Sequence, residues 1–290
     1  MKLPHVSASQ VKTFQRCKRK WYFEKVEGKR GPSTQAQRRG TAIHDGLEQY
    51  VKTGNIPEFV YVNEKTGRVT NNKNDEEWAV RRYVEAVKEH IDDETVIGVE
   101  TDMKLETFPG GPPWIGFIDL LASNKVIDYK TTSSLRWAKT PDDLLNDPQA
   151  CSYVLSVFRQ FPEADEFDVK FIYVQTSTKT KVNVKPVIAT FNRKQCEDIF
   201  GTAVVSVREM VDVALIKTAD DVEGNPGACM DFGGCPHRAY CKMEIKSTLS
   251  EKPTHKPKPN RFTHPELFKK KKKKENPSFR PPEVKDETHS

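Results

Sequence analysis

The sequence has no apolar run long enough to cross a membrane, which excludes a membrane-spanning helix. It also lacks the apolar core of a signal peptide near its start, because residues 1–5 lead directly into a polar segment. The 290 residues contain six cysteines, and no internal repeat is apparent. We therefore expect a cytoplasmic protein without membrane contact, in which cysteines serve a metal or redox role more than disulfides.

Charge is unevenly distributed along the chain. The total is +6, but residues 1–40 carry +9 and residues 245–290 carry +7, so residues 41–244 carry −10. Basic flanks beside an acidic centre suit a polyanionic partner such as DNA. The alternative is an ordinary solvated helix surface, and charge alone does not separate the two for the basic residues concerned: Lys18, Arg19, Lys20, Arg38 and Arg39.

Residues 245–290 differ in composition from the rest of the chain. They contain seven of the 19 prolines and a lysine run at 269–274, and few of their side chains could bury a core. We expect a disordered basic tail here, rich in proline and lysine, behind one folded domain in residues 1–244. The lysine run either binds nucleic acid non-specifically or keeps the protein soluble.

Two short apolar segments flank a Ser-Asn turn and predict a β-hairpin. If Ser123 and Asn124 are the loop residues, cross-strand partners have numbers that sum to 247, so Asp119 opposes Asp128. Their Cβ atoms would then lie about 4.5–5.5 Å apart. Lys130 follows Asp128 by two residues and shares its face, because side chains alternate along a strand.

Two carboxylates opposed in this way repel each other unless a positive charge lies between them. Mg²⁺ or Mn²⁺ suits that position, since both take oxygen ligands from carboxylates together with substrate phosphate. A metal ion polarises a phosphoryl oxygen and lowers the pKa of a bound water, and Lys130 could position that water or offset developing charge. The alternative is a solvated sheet face, but the flanking apolar residues predict a half-buried site, where unpaired carboxylates are costly.

Periodicity along the chain predicts alternating helices and strands. Helices are expected at residues 7–25, 35–53, about 78–91, 141–161 and 193–216, and strands at 96–106, 114–122, 125–131, 167–175 and 182–190. The order is helices, a strand meander, a helix, two strands and a closing helix. This order predicts an α/β (α+β) fold with a central mixed sheet flanked by helices.

A second group of residues suggests a structural metal site. A Gly- and Pro-rich loop near the end of the predicted domain contains three cysteines: Cys229, Cys235 and Cys241. Such a loop has few apolar groups to hold it, so a metal clip is expected, and Cys17 is one candidate for the fourth ligand. An all-thiolate set fits iron–sulfur or zinc, whereas Asp231 or His237 as a ligand would favour zinc.

Some polar residues of the predicted helices allow two interpretations. His44 lies on the second helix, where a lone histidine is more often structural than a ligand. Gln149 and Tyr153 are four residues apart and share a helical face, which is either functional or merely solvent-exposed. Cys151 and Cys196 also fall within helices and are expected to be small buried hydrophobic residues.

Six segments in series resemble the RecB-like exonuclease branch of the PD-(D/E)XK nuclease superfamily, and they cover about residues 7–241. They are residues 7–17, 39–44, 116–119, 126–131, 149–153 and 235–241. The likeness is closest to the CRISPR-associated four-cysteine exonucleases and to the AddB nuclease domain, and many phage proteins look similar. The resemblance implies a restriction-endonuclease-like core in residues 1–244, with a cysteine metal cluster as a clip.

The resemblance also implies roles for individual residues. Metal ligands would be His44, Asp119, Asp128 and the backbone carbonyl of Tyr129, and Lys130 would be the catalytic lysine. Gln149 and Tyr153 would contact DNA and support the lysine. The iron–sulfur ligands, for a 4Fe–4S cluster with zinc as the alternative, would be Cys17, Cys229, Cys235 and Cys241.

The sequence departs from the family pattern at the cysteines. Relatives usually have two residues between the second and third cysteines, whereas five separate Cys229 from Cys235 here, so the cluster type and the role of Cys229 stay open. Asp128 stands where many relatives have glutamate. Glu100 falls near a further acidic position of the family.

The function expected from these features is that of a Mg²⁺- or Mn²⁺-dependent DNA exonuclease, acting on ends or single strands in replication, recombination or repair. Alternatives are a structure-specific DNA endonuclease and a catalytically silent DNA-binding subunit of a recombination complex. The expected partners are DNA and, by the resemblance, a recombinase, a helicase or a single-strand-binding protein.

Overall fold

A central sheet organises the part of the chain that the structure describes. The computed structural model covers residues 3–29, 31, 33–56, 61–62, 69–70, 80–177, 181–231 and 234–241 in describable form. The predicted tail at 245–290 lies outside these residues, as does Trp78, which periodicity assigns to the third helix. No helix among the described residues is both long and apolar enough to cross a membrane.

Helices and strands alternate in nearly the predicted order. The helices are α1 (Ala8–Arg16), α2 (Lys18–Lys25), α3 (Gln35–Thr53), α4 (Arg81–Lys88), α5 (Pro141–Leu145), α6 (Pro148–Gln160) and α7 (Arg193–Val213). The strands are β1 (Tyr61–Val62), β2 (Val69–Thr70), β3 (Val96–Leu105), β4 (Trp114–Ala122), β5 (Lys125–Thr132), β6 (Glu166–Gln175) and β7 (Val184–Asn192). Strands β1 and β2 form a separate antiparallel pair.

The main sheet has the strand order β3-β4-β5-β6-β7. Strands β5 and β6 pair in parallel, whereas all other neighbours are antiparallel. A parallel pair needs a crossover connection, and the segment with α5 and α6 supplies it. The predicted mixed sheet with flanking helices is therefore confirmed.

Helices pack on both faces of the sheet. Helices α1, α2, α6 and α7 cover one face, called here the α6 face, where Phe158 packs in the same cluster as Phe171 of β6. Helices α3 and α4 cover the other, the α3 face, where Leu47 packs in the same cluster as Ile127. Val126 belongs to the first cluster and Ile127 to the second, as strand alternation requires.

Two of the predicted helices are each broken in the structure. The helix expected at 7–25 is two helices, because Cys17 has an extended backbone (φ −161°, ψ 106°) that ends α1 and caps α2. The helix expected at 141–161 is interrupted after Leu145, since Pro148 lacks the N–H of a continuous helix and Asp147 caps α6 instead. The prediction of uninterrupted helices is wrong at these two points.

The first two helices pack against the end of the described chain. The Arg19 guanidinium donates hydrogen bonds to the backbone carbonyls of Asp220 and Val222 at 3.0 and 2.8 Å. The Tyr22 hydroxyl donates to the carbonyl of Ile216 at 2.6 Å. These partners are 194 to 203 positions apart, so the contacts join the two ends of the predicted domain.

A largely buried ion network joins β3, β5 and β6. Glu94, which precedes β3, pairs with Lys125 and with Lys170, each at 3.0 Å, and its side chain is only 12 % exposed. Lys170 also donates to the carbonyl of His90 at 2.6 Å. Burial alone would raise the pKa of Glu94, but the two lysines outweigh it and lower the pKa below its ordinary value.

We expect Glu94→Gln to lower the free energy of unfolding by about 3 kcal/mol, because two poorly solvated lysines lose their carboxylate. Urea denaturation at pH 7 measures this loss. The pKa of Glu94 is lower in the folded state than in the unfolded state. Ionised Glu94 therefore stabilises the fold fully when the pH is above its unfolded-state pKa, and this stabilisation is lost as the pH falls through its folded-state pKa. The stability of the parent should therefore fall more steeply in acid than that of the variant.

The control is Glu85→Gln, which removes an exposed carboxylate paired with Arg81 at 2.8 Å. Exposed pairs of this kind contribute about 0.5 kcal/mol or less. Equal losses in the two variants, or parallel acid curves for Glu94→Gln and the parent, would contradict the stabilising role of the network.

Candidate functional site

Strands β4 and β5 separate next to the two aspartates of the predicted hairpin. Their ladder consists of two residue pairs in the predicted register, Leu120–Ile127 and Leu121–Val126. Past this point Asp119 Oδ2 accepts a hydrogen bond from the backbone N–H of Tyr129 at 2.7 Å, so a side chain takes the place of a strand carbonyl. Asp119 and Asp128 are therefore at positions that would pair across the two strands, at the point where the strands separate.

Three potential metal ligands come together at this opening. They are His44 of α3, Glu100 of β3 and Asp119 of β4, and one ligand atom from each lies within 4.8 Å of the others. His44 Nδ1 is 3.4 Å from Asp119 Oδ2. Burial lowers the pKa of His44, but the hydrogen bond and charge of Asp119 outweigh burial, so the pKa is raised overall.

Glu100 has an unusual backbone conformation. It is the one non-glycine residue with a positive φ (48°) among the described residues, and a left-handed backbone costs an ordinary residue about 1–2 kcal/mol. The register of β3 and β4 places Glu100 opposite Asp119, although neither belongs to a ladder pair. Strained conformations persist where the surrounding structure imposes them, and they concentrate at functional sites.

Both β3 and β4 change their side-chain alternation at this position. Ile118 packs on the α6 face, yet Leu120, two residues further, packs on the α3 face. In β3, Val99 packs on the α3 face and Met103 on the α6 face. This change of alternation explains how the Glu100 side chain reaches the group around His44. The periodicity of the sequence does not predict the change.

Asp128 belongs to a second group, formed with residues that the sequence predicts to act together. Its Oδ2 pairs with Lys130 Nζ at 2.5 Å, and its Oδ1 accepts from the Tyr153 hydroxyl at 3.0 Å. Gln149 Nε2 contacts Asp128 Oδ1 at 3.3 Å, and Gln149 Oε1 accepts from Lys130 Nζ at 3.1 Å. The structure thus joins these four residues in one hydrogen-bonded network.

The Lys130 ammonium is positioned by both charge and packing. It lies 4.7 Å from the centroid of the Phe171 ring, and 28 % of its side chain is exposed. Burial lowers the pKa of Lys130, but the charge of Asp128 and the hydrogen bond to it have the larger combined effect and raise the pKa overall. The Lys130 ammonium is therefore charged and fixed in position, and it remains accessible at the opening.

The two aspartates contact helices on opposite faces of the sheet. Asp119 meets His44 of α3, whereas Asp128 meets Tyr153 of α6. The sequence predicts that both lie on one face, but β4 changes its alternation at Asp119, so the two carboxylates reach the opening from the two faces of the sheet. They still influence each other, since burial and, to a lesser degree, the charge of Asp119 raise the pKa of Asp128, against the effect of Lys130.

Helix α3 approaches β5 closely enough to bring His44 to the site. Gly40 lies one turn before His44, and a Cβ atom there would be 3.1 Å from Thr131 Oγ1. The His44 ring packs edge-on against Tyr129 with centroids 5.8 Å apart. The Tyr129 side chain is buried on the α3 face, which is compatible with the predicted use of its backbone carbonyl.

The four predicted cluster cysteines lie near one another without converging as ligands. Burial and then the charges of Cys235, Cys17 and Cys241 raise the pKa of Cys229. Cys17 Sγ accepts from the backbone N–H of Lys20 at 3.5 Å. Among the described residues, no three cysteine sulfurs are grouped as closely as the His44 set. The metal cluster at these cysteines stays a prediction.

The other candidates near the cysteines have different partners. Asp231 forms an ion pair with Arg16, and buried His237 lies with Nε2 3.3 Å from Glu24 Oε1. Cys151 and Cys196 are fully buried, as their helical positions predict.

Residues 5–242 match the family model of the PD-(D/E)XK nuclease superfamily. The chain belongs to this superfamily, since the match spans most of its length. No curated protein is detectably similar to the chain.

The solved structures that resemble the chain include two that are covered over most of their length. One is a Eubacterium rectale protein named as a candidate exonuclease, with 16 % identity, a TM-score of 0.51, and 83 % of this chain and 90 % of that chain covered. The other is the protein SSO0001, with 12 % identity, a TM-score of 0.41, and coverage of 83 % and 88 %. At 16 % identity, the similarity to the Eubacterium rectale structure supports a shared fold and nothing more.

We expect Glu100→Gly to be more stable than Glu100→Ala by about 1 kcal/mol, because only glycine adopts a positive φ without steric cost. Both variants lose a carboxylate and should bind Mn²⁺ about tenfold or more weakly than the parent. Urea denaturation and calorimetric titration with Mn²⁺ measure the two effects. Glu106→Ala, at an exposed position just beyond β3, is the control for Mn²⁺ binding.

Equal stability of the glycine and alanine variants would mean that position 100 carries no backbone strain. Unchanged Mn²⁺ affinity in both variants would remove Glu100 from the ligand group.

Proposed function

We propose that the protein is a Mg²⁺- or Mn²⁺-dependent DNA exonuclease that hydrolyses phosphodiester bonds at DNA ends or in single strands. The observation that carries the proposal is the adjacency of a His-Glu-Asp group and an Asp-Lys pair where β4 and β5 separate. Membership of the PD-(D/E)XK nuclease superfamily supports a nucleic acid substrate. The name of the similar Eubacterium rectale protein agrees with exonuclease activity.

The donor atoms at the opening fit a hard divalent cation. His44 offers an imidazole nitrogen, and Glu100 and Asp119 offer carboxylate oxygens. Burial and then the charge of Asp119 raise the pKa of Glu100, so a positive partner would stabilise the ionised carboxylates. We propose Asp128 and the Tyr129 carbonyl as further ligands. A bound ion would polarise the scissile phosphate and lower the pKa of a water.

Lys130 is proposed as the catalytic lysine. Its ammonium is held by Asp128 and Gln149 and is partly exposed at the opening, so it can contact a water or a phosphate oxygen there. A fixed cation at this point offsets negative charge that develops on the phosphoryl group. Gln149 contacts the lysine directly and Tyr153 positions it through Asp128, and both residues are proposed to contact DNA.

The alternatives differ in the substrates that they would cut. A structure-specific endonuclease would cut closed circular DNA, which an exonuclease leaves intact. A catalytically silent DNA-binding subunit would cut neither form. The complete network of Asp128, Lys130 and Gln149 argues against the silent subunit, because a binding role alone does not require it.

We propose a second, structural metal site at Cys17, Cys229, Cys235 and Cys241. Its support is that Cys17, between α1 and α2, lies near three thiols of a loop-rich segment, where a cluster or zinc ion would replace a missing apolar core. A 4Fe–4S cluster is the first choice and zinc the second.

Lys130→Ala should remain folded and lose metal-dependent cleavage of end-labelled linear DNA by about 100-fold or more, because the developing charge loses its fixed cation. The assay compares single-stranded, duplex and closed circular DNA with Mg²⁺ and with Mn²⁺, and circular dichroism checks the fold. Lys194→Ala, which removes an 83 % exposed lysine of α7, is the matched control. Undiminished cleavage by Lys130→Ala would refute the assignment.

Cys235→Ala should lose bound metal and solubility, because the cysteine clip contributes to folding. Measurement of iron, sulfide and zinc in the purified protein distinguishes a cluster from a zinc site. Cys151→Ala, which changes a buried cysteine of α6, should retain the metal. A Cys235→Ala protein with parental metal content and stability would contradict the structural site.

A further inference from the structure

Two large aromatic side chains are exposed near the opening between β4 and β5. Phe117 is 54 % exposed and Trp137 is 65 % exposed. In contrast, Trp21 and Trp114 are fully buried. Aromatic rings provide large contact areas, so their exposure close to a candidate nuclease site points to a ligand that covers them.

Phe117 lies on β4, two residues before Asp119. The register of β4 and β5 places position 117 opposite Lys130, but the ladder has already ended at Leu120–Ile127. The Phe117 ring therefore belongs to the separated part of the two strands. A substrate that enters the opening would pass close to this ring.

Trp137 is in a 3₁₀ turn (Leu135–Trp137) directly after β5. The Thr132 hydroxyl donates to the Ser134 carbonyl at 3.0 Å, and Gln175 Nε2 donates to the Ser133 carbonyl at 3.3 Å. These bonds fix the turn at the carboxyl ends of the parallel strands β5 and β6. Trp137 is thus placed seven residues beyond Lys130 at the same end of the sheet.

The far side of this turn is also tied to the site. Lys139 forms an ion pair with Asp147, and the Asp147 side chain accepts from the backbone N–H of Gln149 at 2.7 Å. Gln149 in turn contacts Lys130. The segment that carries Trp137 is therefore anchored at both ends to residues next to the Asp-Lys pair.

The Arg136 guanidinium lies over the Trp137 ring, 4.6 Å from its centroid. The pair presents a flat apolar surface with a positive charge beside it. An unpaired nucleotide has the complementary chemistry, a flat base and an anionic phosphate. A protein partner would need an extended apolar surface, and an isolated ring with a cation does not provide its counterpart.

We propose that Trp137 with Arg136, together with Phe117, forms a stacking site for unpaired bases beside the scissile phosphate, so that the substrate is single-stranded DNA or a frayed end. The proposal rests on the proposed nuclease function and adds the residues that select the strand. Bases within a duplex are already stacked on each other, so a blunt duplex cannot offer them to these rings.

Binding measurements in a Lys130→Ala background test the site without cleavage. The probes are a single-stranded oligonucleotide, the same strand in a blunt duplex, and the same strand with abasic positions at its ends. Trp137→Ala should weaken binding of the intact single strand by about 5- to 150-fold. Binding of the duplex and of the abasic strand should change little, and Trp137→Phe should retain most of the affinity.

Phe117→Ala should show the same pattern as Trp137→Ala with a smaller effect. Tryptophan fluorescence gives a second measurement, since a stacked base should quench emission in the protein with Trp137 and not in Trp137→Phe. Val205→Ala, which removes a 67 % exposed side chain of α7, is the matched control and should bind all probes as the parent does.

Unchanged single-strand binding in both alanine variants would overturn the proposal. Equal weakening for the single strand, the duplex and the abasic strand would also overturn it, because the rings would not be recognising bases. Failure of the nuclease function has a different signature: a parent that cuts no DNA but binds single strands through Trp137 would refute hydrolysis and support the stacking site.

Discussion

The crowding of acidic side chains between β4 and β5 is the constraint on which the rest of the site depends. Buried carboxylates repel each other and require compensation. The structure compensates them separately: Asp119 accepts a backbone N–H and contacts His44, whereas Asp128 pairs with Lys130. The separation of the strands makes this possible, because side chains replace the ladder bonds that end at Ile127.

The parts of the structure that depend on local rules could be predicted from the sequence. A two-residue turn at Ser123 and Asn124 is sufficient to fix the register of β4 and β5, and the observed pairs have that register. Helical periodicity predicts α3 closely, since the helix expected at residues 35–53 is Gln35–Thr53 in the structure. The lysine and its helper residues on α6 were predictable as motifs, and the network among them agrees with that interpretation.

Features that depend on distant parts of the chain could not be predicted in the same way. The loop at 106–113 is too long to fix the register of β3, so nothing local places Glu100 opposite Asp119. Its positive φ is imposed by the surrounding strands, since glutamate has no intrinsic preference for it. The break at Cys17 likewise follows from packing against residues about 200 positions away, which periodicity within one helix does not contain.

The contacts of Arg19 and Tyr22 with residues 216–222 affect the order in which the protein can fold during its synthesis. Synthesis proceeds from the amino end, so α1 and α2 leave the ribosome long before their partners exist. All five strands of the main sheet are complete at Asn192, and the surface that receives these two helices is finished later. The contacts of α1 and α2 with residues 216–222 can therefore form only after every strand of the main sheet has been synthesised.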